Sequence, residues 1–183
     1  MDCFAKIRYD YYNEDALLEL QERAQRGDPR AQYHLGLRQG GRELLEAAAN
    51  QGHAEAQRRL AAQLDIAEEA AALSWLKKAA AQGNPTALSS LGRRYEKGWG
   101  IPRDLTISTD YYRRAAKGGH LGAQFALGVA YMEGKGIATD RDRGYSWINR
   151  AAHAGYPPAR GFLSELEPEF AKEYASPATN YFP

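Results

Sequence analysis

The chain has 183 residues, and 24 lysines and arginines against 23 aspartates and glutamates give it a formal net charge of +1. This length allows a domain with a sizeable core, and so balanced a charge argues against a general nucleic-acid binder. No apolar run approaches the roughly 20 residues that cross a membrane, and MDCFAKIRYDYYNED lacks the apolar centre of a secretion signal. The single cysteine excludes an intrachain disulfide and a multi-cysteine zinc site. We expect a cytoplasmic protein, or a periplasmic one if a signal peptide has been removed.

The N-terminal part of the chain is predicted to be helical after a short aromatic segment. The aromatic segment covers residues 1–13 and a single helix is predicted at 14–26. Two helix pairs are predicted next, at 29–51 and 54–82. Their alanine-rich ends, LLEAAANQG and WLKKAAAQG, have high helix propensity and let helices approach closely.

Two further helix pairs, predicted at 85–118 and 122–154, repeat each other at a shift of 36 residues. In each, a Gly-x-Gly turn permits the positive φ that ends the first helix, and Asp104 is placed to cap the second helix of its pair. A mid-helix glycine such as Gly92 costs roughly 1 kcal/mol against alanine, which is tolerable where a neighbouring backbone needs the space. The register superposes Leu91-Gly92 on Leu127-Gly128, Tyr95 on Tyr131, Gly98 and Gly100 on Gly134 and Gly136, and Asp104 on Asp140.

The chain closes with a helix predicted at 157–166 and a tail at 167–183 that contains aromatic residues and prolines. Terminal units of a repeat array need a cover over their exposed apolar face. Both terminal segments are therefore predicted to be caps. The alternative is that they mediate self-association.

These motifs resemble the Sel1-like repeat family, a branch of the tetratricopeptide superfamily. The family pattern is met at Ala87–Gly119 and Ala123–Gly155 and is degenerate in the two earlier pairs. The resemblance covers residues 14–166, taken as one repeat domain. It implies an all-α fold, a right-handed α-solenoid of antiparallel helix pairs whose first helices line the concave side. Family members mostly bind other proteins, so the resemblance implies no enzymatic activity.

The sequence contains no constellation typical of catalysis. His53 and His120 follow repeat-closing glycines where other copies carry aspartate, asparagine or tyrosine, so both are predicted to be turn residues at the start of a helix. His34 is the histidine kept as a binding candidate. Metal-ligand spacings and phosphate-binding loops are missing from the sequence, and Cys3 has no activating neighbour. We expect no enzyme activity, no cofactor and no metal.

Candidate partner-binding residues flank the Leu-Gly pair on the inner face of the first helix of each pair. Tyr33 and Phe125 occupy a position that is often aromatic in the family, so packing between repeats is favoured for both. Val129 and Met132 align with charged residues of the preceding copy, which indicates that solvent reaches them. The arginines are typical either of a solvated face or of a site for an acidic segment. The candidates are Tyr33, His34, Arg58, Arg59, Arg93, Glu96, Phe125, Val129 and Met132.

Trp99 is a further candidate because it lies in the first Gly-x-Gly turn, where the second copy carries Lys135. The turn geometry therefore does not require burial at this position. A tryptophan there either packs under a terminal segment or contacts a partner, and tryptophan is enriched among interface residues that cost roughly 2–4 kcal/mol on truncation. Partner contact is the favoured interpretation.

The sequence thus predicts a non-catalytic adaptor or scaffold that binds a protein partner through a concave groove, without nucleic acid or membrane. A monomer is favoured. Two alternatives stay open: an inhibitor or immunity-type protein that occludes a bacterial effector enzyme, and a structural unit that self-assembles end to end.

Overall fold

Helices account for all the regular secondary structure in the computed structural model, which describes residues 14–63 and 69–166. They follow the predicted order, a single helix, four pairs and a final helix. The terminal segments predicted to be caps lie outside the described residues. In chain order the helices are α1 (Glu14–Gln25), α2 (Pro29–Gln39), α3 (Arg42–Asn50), α4 (Ala54–Gln63), α5 (Glu69–Ala81), α6 (Pro85–Lys97), α7 (Leu105–Lys117), α8 (Leu121–Glu133), α9 (Arg141–His153) and α10 (Pro157–Glu165).

The chain divides into two compact units, Met1–Ala87 and Leu88–Pro183, with the boundary inside α6. In each unit, helices pack mainly on their neighbours in chain order. The first unit has a core cluster that includes Leu45 and Leu60. The second has a cluster around Ile148 with several alanines. A single repeat domain at 14–166 stays a prediction.

Glycine allows α8 and α9 to approach closely. A Cβ atom at Gly128 would lie 2.5 Å from Cγ1 of Ile148 and 2.8 Å from the backbone oxygen of Gly144. The glycine in the middle of α6 makes room for a different kind of neighbour. A Cβ atom at Gly92 would lie 2.8 Å from the ring of Tyr112, so an aromatic side chain of α7 rather than a neighbouring backbone fills this space.

We expect Gly128→Ala to lower the free energy of unfolding by about 1–3 kcal/mol, because the added methyl group overpacks the α8–α9 contact. Gly161→Ala on α10 is the matched control, since its Cβ atom would meet no other atom within 4 Å. Relief of the helix cost of glycine should raise its stability by roughly 0.5–1 kcal/mol. Urea denaturation followed by circular dichroism measures both, and equal effects of the two substitutions would contradict the close approach.

Buried glutamines connect the first helix of a pair to the end of the helix before it. Each amide nitrogen donates to a backbone oxygen eight residues earlier, and so satisfies a carbonyl that a helix C-terminus leaves free. The bonds are Gln32 Nε2 to Ala24 O at 3.2 Å, Gln57 Nε2 to Ala49 O at 3.0 Å, and Gln124 Nε2 to Ala116 O at 3.3 Å.

The side-chain oxygens of these glutamines are not all satisfied. Gln32 accepts from Gln51 Nε2 at 2.7 Å, and Gln57 accepts from Gln82 Nε2 at 2.9 Å. Oε1 of Gln124 is buried and has no hydrogen-bond partner among the described residues. The reason is the residue before the closing glycine, which is glutamine at 51 and 82 but alanine at 154.

We expect Ala154→Gln to stabilise the chain by about 1 kcal/mol by donating to the orphaned oxygen of Gln124. The backbone at 154 (φ −74°, ψ 2°) already matches that of Gln51 (φ −83°, ψ 7°). Thermal denaturation should be compared in the native and the Gln124→Leu backgrounds, because leucine occupies this position as Leu88 in the third pair. A gain of equal size in both backgrounds would show that the new side chain acts elsewhere.

Side-chain caps begin several helices. Oδ1 of Asp104 accepts from the backbone N–H groups of Thr106 and Ile107, both at 2.9 Å, so the predicted cap of α7 is confirmed. Nδ1 of His53 accepts from Ala56 N at 3.2 Å, and Nδ1 of His120 accepts from Ala123 N at 3.1 Å. The turn role predicted for both histidines is therefore confirmed.

Burial lowers the pKa of His53 and of His120, so the unfolded chain binds their protons more readily. The free energy of unfolding should therefore fall as the pH drops below about 6.5, the ordinary pKa of histidine. The free energy of unfolding of a double His53→Asn, His120→Asn variant should fall less steeply as the pH drops. Asparagine keeps the cap, because Oδ1 of Asn84 accepts from Ala87 N at 2.9 Å in the same position of another pair.

The measurement is urea denaturation of both proteins at a series of pH values between 5 and 8. Carboxylates titrate alike in the two proteins, so the difference between the slopes isolates the two histidines. Parallel pH dependences would mean that the capping histidines do not couple to folding.

Candidate functional site

The second unit contains a groove of about 340 Å³, hereafter the α6–α8 groove. It lies between α6, α7 and α8, and residues after α8 and α9 complete its wall. The lining residues that matter for its chemistry are Arg93, Glu96, Tyr112, His120, Phe125 and Val129.

The structure brings together four residues that the sequence singles out, two from α6 and two from α8. Arg93 and Glu96 supply charge, and Phe125 and Val129 supply apolar surface. Met132 is also half-buried on α8, where it packs against the core cluster around Ile148. Phe125 combines both expected roles, since it lines the groove and packs on later elements. Its ring centroid lies 5.9 Å from that of Tyr156 and 5.8 Å from that of Phe162.

The carboxylate of Glu96 is already engaged. Tyr112 donates its hydroxyl to Oε2 of Glu96 at 2.8 Å, and Nζ of Lys97 lies 3.7 Å from Oε1. Burial and the bond to Glu96 raise the pKa of Tyr112, so it stays a neutral donor. Arg93 is exposed beside them. The groove therefore presents an exposed cation, Arg93, whereas the carboxylate of Glu96 already has a hydrogen bond and an ion pair.

His120 is a neutral wall of the groove. Burial lowers its pKa first, and the nearby Arg93 lowers it further, so the imidazole is uncharged at neutral pH. Its Nδ1 accepts the backbone N–H of Ala123 and so caps the N-terminus of α8. Lys135 is the second cation of the lining, and it forms an ion pair with Glu133.

Two buried hydroxyls hold the walls in place. Ser108 donates to the backbone oxygen of Gly92 and Thr109 to that of Lys135, both at 2.8 Å. Tyr112 and Tyr156 also line the groove, and the sequence analysis did not single them out. The available signal was Tyr156 itself, an aromatic residue at a turn position where the other copies carry aspartate, asparagine or histidine.

The first unit holds four other candidates. Tyr33 is only 8% exposed and its ring stacks on His53 at 4.6 Å, so the structure supports the packing role. His34 is exposed and meets the edge of Tyr33 at 5.2 Å. Arg59 is exposed.

Arg58 does not present a free charge. Its Nε donates to Oε1 of Glu55 at 2.9 Å, and Nδ2 of Asn84 donates to the other oxygen at 3.1 Å. Burial opposes ionisation of Glu55, but these hydrogen bonds outweigh it and lower the pKa of its carboxyl group. Arg58 and Glu55 thus form a partly buried ion pair on α4, and a role of Arg58 in partner binding stays a prediction.

Trp99 is 53% exposed in the turn after α6. Its backbone N–H donates to Arg94 O at 3.0 Å, as that of Lys135 donates to Ala130 O at 3.0 Å, so the two turns share one geometry. Nε of Arg103 also holds this turn by donating to Glu96 O at 3.0 Å. The segments that could cover Trp99 lie outside the described residues, and partner contact stays a prediction.

Over 14–63 and 69–166, no cluster of three or more histidine, cysteine, aspartate or glutamate side chains could hold a metal ion. No helix in these ranges is both long and apolar enough to cross a membrane.

Comparison with known proteins identifies the repeat. The model of the Sel1 repeat matches residues 38–53, 54–84, 85–120 and 122–156, which is more than half of the chain. The last three of these matches coincide with the helix pairs α4–α5, α6–α7 and α8–α9. No curated protein sequence matches the chain significantly.

Solved structures share this fold. A Sel1 repeat protein from Oxalobacter formigenes superposes with a TM-score of 0.77 at 29% identity, over 84% of this chain and 50% of that one. A protective antigen of uropathogenic Escherichia coli gives a TM-score of 0.74 at 32% identity, over 80% of this chain and 35% of that one. The chain thus spans about half and about a third of their lengths. An immunity protein from Pseudomonas aeruginosa gives a TM-score of 0.59 at 23% identity, over 86% of this chain and 65% of that one.

These matches show an all-α fold of the solenoid class, built from helix pairs. Sel1 repeats generally mediate protein–protein interaction and are typically non-catalytic scaffolds. Because the repeat matches follow the helix pairs through most of the described residues, this chain belongs to the Sel1 repeat family.

Proposed function

We propose that this chain is a non-catalytic protein-interaction module that holds a protein partner in the α6–α8 groove. The observation that carries the proposal is the meeting of Arg93, Glu96, Phe125 and Val129 in one concave surface. At the positions of Arg93 and Glu96 the fourth pair carries Val129 and Met132, so the repeat does not demand particular side chains there. Arg93 and Val129 are equivalent in the repeat, yet one is charged and the other apolar. Positions that the fold leaves free are those available for recognition.

The groove is built to bind rather than to react. Its acid, Glu96, accepts from Tyr112, and its base, His120, uses Nδ1 to cap α8. Neither group is placed to move a proton on a substrate. Because helices and buried hydroxyl bonds already order the walls, association would cost mainly the freedom of the partner.

In this proposal the chain is an adaptor or scaffold that binds one partner protein in the bacterial cytoplasm. The single cysteine rules out the intrachain disulfides that stabilise many exported domains. An inhibitor or immunity-type role would show itself as a one-to-one complex with an enzyme that loses its activity. The likeness to an immunity protein at 23% identity supports the fold alone. End-to-end self-assembly would show itself as a molar mass that rises with concentration in light scattering.

The test is affinity capture from a lysate of the organism that encodes the chain, with five baits. These are the wild type, Arg93→Glu, Val129→Arg, Trp99→Ala and a control, Arg141→Glu. The control makes the same charge change on an exposed residue of α9 outside the groove, at a helix N-terminus that favours glutamate. Val129→Arg places at 129 the residue that the equivalent position 93 already carries. Circular dichroism checks that each bait retains its helix content.

We expect one partner to be retained at near-stoichiometric yield by the wild type and by Arg141→Glu. Recovery should fall at least tenfold with Arg93→Glu and with Val129→Arg. Loss with Trp99→Ala alone would move the site to the turn after α6. Equal recovery by all five baits would refute the groove as the binding site.

A further inference from the structure

The apolar side of the α6–α8 groove is only partly buried. Phe125 and Val129 are half-buried along α8, where they pack against the core cluster that contains Ile148. The rings of Phe162 and Phe125 pack in a T-shaped arrangement with their centroids 5.8 Å apart. Phe125 thus has an aromatic neighbour and still keeps exposed surface in the groove. An apolar side chain of a ligand would complete the burial, at about 25 cal/mol for each Å² removed from water.

The charged side of the groove has an excess of available positive charge. Arg93 and Lys135 are its cations and Glu96 is its one carboxylate. Glu96 is held by Tyr112 and Lys97, and Lys135 is paired with Glu133 outside the lining. Arg93 is exposed, and none of the ion pairs among the described residues includes it. A guanidinium can bind a carboxylate through two parallel hydrogen bonds.

The neighbours of Arg93 do not compete with such a ligand. His120 is neutral, and the Tyr112 hydroxyl is occupied by Glu96. The groove volume, about 340 Å³, lies at the lower end of the roughly 300–1,000 Å³ typical of binding pockets. A space of this size accommodates a few side chains, as a short segment would present them.

We propose that the occupant of the groove is an extended segment of another protein that carries an acidic residue next to an apolar one. The carboxylate binds Arg93, and the apolar side chain packs against Phe125 and Val129. This inference rests on the proposed function and adds the chemistry of the partner. Charge complementarity selects the acid, and the adjoining apolar wall selects its neighbour.

The test is selection of random twelve-residue peptides displayed on phage against the whole chain. The strongest peptide is then synthesised with a fluorescein label, and its binding is measured by fluorescence anisotropy. We expect selected peptides to be enriched in aspartate or glutamate beside leucine, isoleucine or phenylalanine. Affinity for the strongest peptide should fall at least tenfold with Arg93→Glu, and less with Arg93→Lys, which keeps the charge but loses the bidentate geometry.

A charge exchange makes the test specific to the contact. The peptide with its acid replaced by lysine should bind the wild type at least tenfold more weakly than the parent peptide. The same lysine peptide should bind Arg93→Glu at least threefold more tightly than it binds the wild type. Arg141→Glu should bind the parent peptide as the wild type does, and Val129→Arg should not bind it.

The outcomes separate this inference from the proposed function. Selected peptides without acids, or binding indifferent to Arg93→Glu, overturn the acidic segment. Failure to select any peptide overturns it as well. If Arg93→Glu nevertheless abolishes the affinity capture of a protein, the groove binds a folded surface and the proposed function stands. If capture is unaffected by every groove variant, the proposed function fails on its own evidence.

Discussion

Close approach between helices is the constraint on which the rest of this structure depends. Gly128 and Gly144 bring α8 and α9 so near that a Cβ atom on either would press on the backbone of the other. Buried alanines, such as Ala115 in α7 and Ala151 in α9, have the same use at other helix contacts. Small residues at the contacts leave little room for adjustment, so each helix is held in one position. A groove formed between such helices is already shaped before a ligand arrives.

Buried polar bonds then connect helices that apolar contact alone would leave free to slide. Gln32, Gln57 and Gln124 each reach back to a carbonyl at the end of the preceding helix. The repeat tolerates partial loss of this arrangement, since Leu88 replaces the glutamine in the third pair and Ala154 removes the donor to Gln124. A domain stable by about 5–15 kcal/mol can absorb one unsatisfied acceptor that costs about 1–3 kcal/mol.

The shape of the groove also depends on a small residue that leaves room for a larger neighbour. Gly92 leaves room for the ring of Tyr112, and Tyr112 in turn holds the carboxylate of Glu96. The engagement of Glu96 leaves Arg93 as the accessible charge of the groove. A single missing methyl group on α6 thus influences the electrostatics of a surface formed by three helices. The proposed recognition of an acidic segment depends on this chain of contacts rather than on the number of arginines in the sequence.

The sequence by itself determined the helices, the turns between them and the side chains that cap helix N-termini. Periodic apolar residues, Gly-x-Gly turns and Asp104 act through contacts within a few positions along the chain, so they can be read without a fold. The repeat register also singled out Arg93, Glu96, Phe125 and Val129 as candidates, and the structure places all four along one groove. Only the tertiary structure decided which distant polar groups bind the carboxylates and which aromatic rings line the groove. Glu55 and Arg58 lie three positions apart on α4, so this ion pair can be read from the sequence, whereas Asn84 binds the same carboxylate from 29 residues further along the chain. Tyr112 of α7 likewise reaches Glu96 of α6, and the packing of these two helices sets the distance between them.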